Sequence, residues 1–148
     1  ALAVNGEPVV GAVALPAAVM TLATGAELPA LGEIPAQPRM LVSRTRPPAA
    51  ATHVAEALDA ELVPMGSAGA KAMAVVRGLA DMYVHSGGQY EWDSCAPIAV
   101  AAAAGLHVSR IDGSPLVYNN DDVYLPDLVI CRSELADQTL AALASFSE

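Results

Sequence analysis

Aromatic side chains are scarce in this chain. Four tyrosines, one tryptophan and one phenylalanine make up 4% of its 148 residues. A core of stacked rings is thereby excluded. The hydrophobic 54% is largely alanine, so packing falls to Ala, Val, Leu and Met. Such small side chains permit close approach of helices to a sheet. Basic residues are also few, seven Lys and Arg against sixteen Asp and Glu, for a net charge of -9. That field repels a polyanion, which excludes a nucleic-acid polymer as partner. A small phosphorylated substrate stays compatible, because a bound cation reverses the sign locally. The two cysteines, Cys95 and Cys131, stand far apart in no metal-like spacing. They read as thiols of a reduced, cytoplasmic chain. No apolar run is long enough to span a membrane; residues 96–105 are too few and too rich in alanine. No signal-peptide pattern is present.

What is there begins with β-strand. Ala1-Leu2-Ala3-Val4 reads as a strand in progress, and Asn5-Gly6 as a hairpin turn into a strand over 9–14. A start in mid-sheet, without Met, is expected of a piece of a longer chain. A second strand is expected over 20–23. Residues 25–38 hold Gly25, Pro29, Gly32, Pro35 and Pro38 and read as a linker. After it the rhythm alternates: strand 39–45, helix 52–60, strand 62–65, helix 70–80 and strand 82–85, the last broken by Gly87-Gly88. A helix opened by Asp93 runs to Gly105, with strand 107–111 behind it. Leu116 to Tyr118 can pair back, strand 128–131 follows, and Ser133 caps a final helix. Alternating strands and helices predict an α/β layer over 39–148.

Few residues can carry chemistry. Gly66-Ser67-Ala68-Gly69-Ala70-Lys71 lies between a strand and a helix. Free N–H groups at a helix start attract anions, and glycine lets a ligand come close. The same stretch also reads as an ordinary tight turn with a surface lysine. Asp93 reads as a helix cap or as an oxygen ligand for Mg²⁺. As a metal ligand it needs partners. Asp121-Asp122 sit in a polar loop and read as solvated surface, and Glu91, beside Trp92, as packed. His53, His85 and His107 share no ligand spacing; His85 is kept because it ends a strand near the Asp93 helix. Tyr90 and Trp92 either pack in the core or wall a pocket, and Cys95 reads as a small core residue.

Glu91-Trp92-Asp93-Ser94-Cys95-Ala96-Pro97, followed by Ala102-Ala103-Ala104-Gly105, resembles the second signature of the inositol monophosphatase superfamily. Gly66-Ser67-Ala68 resembles its Gly-Ser/Thr-Ala turn, and Asp112-Gly113-Ser114-Pro115-Leu116 with Tyr118-Asn119 is similar to its following segment. Within that superfamily, residues 66–74, Gly87-Gly88-Gln89 and Tyr124-Leu125-Pro126-Asp127-Leu128 look like the actinobacterial CysQ-type 3'-phosphoadenosine-5'-phosphate phosphatases.

The resemblance implies the C-terminal α/β layer of an αβαβα sugar-phosphatase fold, with residues 1–24 as closing strands of the first domain. It implies a Mg²⁺-dependent phosphomonoesterase that hydrolyses 3'-phosphoadenosine 5'-phosphate or inositol monophosphate, with two or three Mg²⁺ in the complete enzyme. Asp93 is carried over as a metal ligand, and Gly66, Ser67, Ala68, Lys71 and His85 as substrate-binding residues. The superfamily's first signature, Asp-Pro-Leu/Ile-Asp-Gly-Thr, does not occur in this chain. No complete catalytic set is therefore expected here, and the chain alone is expected to be inactive. Its expected partners are a small phosphorylated substrate, a missing N-terminal half and, through apolar surface left uncovered, a second copy. The competing expectation is a non-catalytic α/β module that binds a phosphorylated ligand or self-associates.

Overall fold

A computed structural model of the chain describes residues 1–146. Its first part is two small antiparallel hairpins. β1 (Leu2–Val4) pairs with β2 (Glu7–Val10), and β3 (Ala12–Leu15) with β4 (Met20–Ala23). Asn5 and Gly6 both have positive φ, 51° and 84°, as the tight hairpin turn requires. The strand expected over 9–14 is two strands, divided at Gly11. A Cβ there would lie 2.5 Å from the Ala96 carbonyl oxygen, so the backbone turns where a helix presses on it. Thr24 fixes the corner: its hydroxyl accepts from Gly11 N at 3.2 Å.

The larger part is a five-stranded sheet in the order β6-β5-β7-β9-β8. β5 (Arg39–Ser43) lies between β6 (Glu61–Met65) and β7 (Met82–Tyr90), parallel to both. β9 (Tyr124–Cys131) runs antiparallel to β7 and to the short β8 (His107–Ser109). Four helices cover the sheet: α1 (Ala49–Ala57), α2 (Ala68–Val76), α3 (Glu91–Ala103) and α4 (Ala136–Ser145).

Strand alternation sorts them to opposite faces. Met40, Val42, Met82, Val84, Val129 and Cys131 meet α1 and α4. Leu41, Tyr83, Leu128 and Ile130 meet the alanine- and valine-rich α2 and α3. The three-layer αβα arrangement matches the expected α/β layer. The two hairpins form sheets of their own rather than joining the central one.

Several local expectations change. Gly87-Gly88 does not end β7; the strand continues to Tyr90 through a bulge, with the register slipping between Ser86 and Gln89. Both glycines have positive φ, 79° and 76°, which a bulge accommodates. α3 starts at Glu91, so Asp93 is its third residue rather than its cap; Asp93 Oδ2 accepts from Tyr90 N at 3.0 Å. Leu116 to Tyr118 form no strand, and Tyr118 N donates to Gly6 O at 2.9 Å, tying that loop to the first hairpin. Ser133 caps no helix; its hydroxyl donates to Gly105 O at 2.7 Å.

Candidate active site

The candidate residues gather at the carboxyl ends of the three parallel strands β6, β5 and β7. Ligands of open α/β sheets bind at this edge, because helices begin there and point their free N–H groups at it.

After β6 comes the Gly66-Ser67-Ala68 turn. Ser67 is the N-cap of α2, and its hydroxyl accepts from Ala70 N at 3.3 Å. Its φ of 66° is strained for a residue with a side chain. Lys71 is buried at 5% exposure, not on the surface. Its ammonium donates to Ser67 O at 3.2 Å and to Met65 O at 3.5 Å, and lies 5.0 Å above the Tyr83 ring. Burial lowers its pKa. Its charge thus stands behind the turn and holds the turn's carbonyls away from a ligand.

Along β7, Tyr83 and His85 share the face turned toward α2 and α3, their rings 6.2 Å apart. His85 Nε2 sits 2.6 Å from Gly87 O. A carbonyl only accepts, so Nε2 carries the proton and Nδ1 is left as an acceptor. Nδ1 is buried without a partner among the described residues. Burial lowers the pKa of His85, prevailing over the hydrogen bond to Gly87 O, which works to raise it.

Gln89, beyond the bulge and 6% exposed, donates from Nε2 to the Tyr83 hydroxyl at 2.7 Å. Its Oε1 is likewise buried and unpartnered. Burial pushes the Tyr83 phenol up, so it stays protonated at neutral pH. The reading of the sequence missed Tyr83 and Gln89. A polar Gln three residues before Trp-Asp, in a stretch with strand character, was the available signal.

Asp93 completes the group, close enough for its charge to act on both Tyr83 and His85. With Oδ2 engaged by Tyr90 N, the other oxygen is left to face a cation. Asp93 therefore fits as one ligand of a metal ion. Among the described residues no three His, Cys, Asp or Glu side chains converge as a metal site. The carboxylate next to it is no second ligand. Glu91 is buried and accepts from Asn119 N at 2.6 Å, Asn120 N at 3.0 Å and Asn120 Nδ2 at 2.7 Å. Burial works to raise its pKa, but the three hydrogen bonds prevail and hold it below the usual carboxylate range. Asp121 and Asp122 are exposed, as expected. Trp92 is not core: it is 67% exposed and stacks on Tyr90 at 4.7 Å between centroids.

The whole sequence, residues 1–148, matches the inositol monophosphatase family. The chain belongs to that family. It is 50% identical over 148 residues to the 3'-phosphoadenosine 5'-phosphate phosphatase of Mycobacterium bovis, covering 95% of this chain and 54% of that protein. It is 27% identical over 134 residues to the Golgi-resident adenosine 3',5'-bisphosphate 3'-phosphatase of Rattus norvegicus, covering 82% of this chain and 38% of the relative. The chain thus spans about half the length, or less, of the relatives it matches.

Solved structures share the fold. The inositol monophosphatase of Thermotoga maritima superposes with a TM-score of 0.70 at 18% identity, covering 95% of this chain and 57% of that one. CysQ from Bacteroides thetaiotaomicron superposes with a TM-score of 0.60 at 30% identity, covering 69% of this chain and 40% of its own. No helix among the described residues is long and apolar enough to cross a membrane.

Proposed function

We propose that this chain is the C-terminal part of a magnesium-dependent phosphomonoesterase that hydrolyses 3'-phosphoadenosine 5'-phosphate. The observation that carries the reading is the placement of Asp93. It stands in the first turn of α3, directly after β7 at the carboxyl edge of the sheet where the Gly66-Ser67-Ala68 turn also lies, in a chain half identical to a mycobacterial phosphatase of that name.

Each residue then has a task. The first N–H groups of α2, at Ala68 and Gly69, point their dipoles toward a phosphate. Gly66 leaves room for it, and Ser67 shapes the turn. Lys71 acts from behind, ordering the turn and adding positive potential. His85 Nδ1 and Gln89 Oε1 are acceptors without donors among the described residues, so they suit hydroxyl or amino groups of the nucleoside rather than phosphate oxygens. Asp93 would hold Mg²⁺ as one of its ligands. When bound, the ion supplies an acidified water and offsets phosphate charge.

The remaining metal ligands belong, in this proposal, to an N-terminal half of the same enzyme. The chain alone is then inactive. Apolar surface at Val19 (94% exposed) and Trp92 suits cover by that half. Both cysteines are free thiols, which fits a cytoplasmic site of action.

The test is phosphate release by the intact protein with 3'-phosphoadenosine 5'-phosphate and inositol 1-phosphate, in Mg²⁺ and in chelator. Mg²⁺-dependent release from the nucleotide is expected. An Asp93→Asn variant should lose about a hundredfold or more in activity while its thermal midpoint stays near the parent's. An intact protein that hydrolyses neither substrate would sink the reading. Mg²⁺-dependent turnover by the 148-residue chain alone would refute the shared metal site.

A further inference from the structure

A second cavity lies between α2 and the hairpin of β3 and β4, outside the group around Asp93. It is a groove of about 420 Å³, within the range of about 300–1,000 Å³ usual for small-molecule pockets. Val13 and Leu15 of β3 form one wall, and Ala70 and Ala74 of α2 the other. Gly69 sets the spacing. A Cβ there would lie 3.8 Å from Val13 Cγ1, so the hairpin rests on the helix at that point. Past it, α2 presents only the methyls of Ala70 and Ala74, and space is left between the two elements.

One end of this apolar groove carries a cation. Arg77 follows Ala74 by three residues and so lies on the same face of the helix. It lines the groove, is half-buried, and makes no ion pair among the described residues. No Asp or Glu is among the lining residues. The carboxylate near that end of α2 is already taken. Asp81 accepts from Arg39 N at 2.8 Å and from Arg39 Nε at 3.1 Å, while Arg39 Nη2 donates to Gly78 O at 3.0 Å. An arginine at a helix C-terminus ordinarily reaches into water and complements the helix dipole. Here its charge borders an apolar space, in a chain whose net charge is -9.

A guanidinium in that position matches a carboxylate, which it binds through two parallel N–H donors. A single cation matches a single negative charge, and the walls of β3 and α2 match an apolar body behind it. α2 has nine residues, so Arg77 stands roughly 13 Å along the helix from the Gly66-Ser67-Ala68 turn. The anion is thus held apart from the candidate active site.

We propose that this groove binds an alkyl monocarboxylate, with its head on Arg77 and its chain along β3. The site is separate from the phosphatase reading and does not depend on it.

The test is calorimetry on the intact protein with decanoate and with decanol, which has the same chain and no charge. Decanoate should bind at one site per chain, and decanol about tenfold or more weakly. Arg77→Met keeps the apolar stem and removes the charge. It should weaken decanoate about tenfold or more and leave decanol within about twofold. Ala14→Trp, at an exposed position on the groove wall, should block both ligands. Equal affinity for decanoate and decanol, or decanoate binding unchanged in Arg77→Met, would overturn the proposal.

A groove already filled in the intact protein would overturn it too. If another segment of that protein fills it, decanoate does not bind and Ala14→Trp lowers the thermal midpoint. If a second copy fills it, Ala14→Trp lowers the mass seen by light scattering. Binding is read without turnover, so an intact protein that hydrolyses neither test substrate leaves the groove result standing.

Discussion

At the residue scale, Ser67 shows how the site is held under strain. Its φ of 66° costs a residue with a Cβ about 1–3 kcal/mol. Replacement by glycine removes that cost and, as an N-cap, loses only a few tenths. Ser67→Gly should therefore raise stability by about 0.5–1 kcal/mol in urea unfolding, while phosphate release by the intact protein falls as the turn loosens. A variant both less stable and fully active would contradict this account.

Glu91 is the complementary case, a carboxylate whose task is structural. It holds the 119–120 backbone against the first turn of α3 through three hydrogen bonds. Its folded pKa lies below the usual 4.5, so the folded chain binds fewer protons there than the unfolded one. The stability it contributes is full above that value and is lost as pH falls through it toward the folded pKa. Glu91→Gln leaves one backbone N–H poorly matched and should cost about 1–3 kcal/mol at neutral pH. The same variant should show a flatter acid limb in a plot of urea midpoint against pH.

At the element scale, the corner between β2 and β3 docks on α3 through bare backbone. A methyl on Gly11 would meet Ala96 O at 2.5 Å and Ala99 Cβ at 2.9 Å. Neither neighbour is a flexible side chain that can swing away. Gly11→Ala should thus destabilise by about 1–3 kcal/mol, read as a lowered thermal midpoint. An unchanged midpoint would mean that the hairpins are only loosely attached to α3. The β7 bulge is the other telling element. From sequence, Gly87-Gly88 reads as a break, since glycine disfavours strand interiors. In the fold, pairing with β9 resumes at Gln89 and Tyr90, because the antiparallel partner offers ladder bonds on both sides of the slip. Beyond the slip, Gln89 donates to the Tyr83 hydroxyl six residues back, a contact that requires the strand to continue past the glycines.

At the scale of the whole molecule, the core contains acids that burial holds protonated beyond their usual range. Burial pushes the Tyr83 and Tyr118 phenols above their usual 10, and the Cys131 thiol from 9 to about 12. The unfolded chain releases these protons at the usual values and the folded chain keeps them. The stability they support is full below pH about 9 and is lost as pH rises through 9 and 10 toward the folded values. Urea midpoints should fall steeply over that range, and Cys131→Ala and Tyr83→Phe should each flatten the fall. A midpoint independent of alkaline pH would show that these groups reach solvent.

The sequence by itself determined the order of elements after residue 38, the Asn5-Gly6 hairpin, and the pairing of a glycine turn with a Trp-Asp helix start. These follow from local propensity and from short motifs, which act over a few residues. Tertiary structure decided the rest. The Lys71 amine turns inward because desolvation there is offset by two carbonyls and a ring, none of them readable from its neighbours in sequence. Arg46 lines a carboxylate-free cleft, and Arg44 reaches the Gly66 turn, only because β5 lies between β6 and β7, which brings residues 43–46, 66–71 and 85–93 to one edge. Charge summed over the chain gives only a net -9; the packing of three strands decides where the few cations stand unopposed.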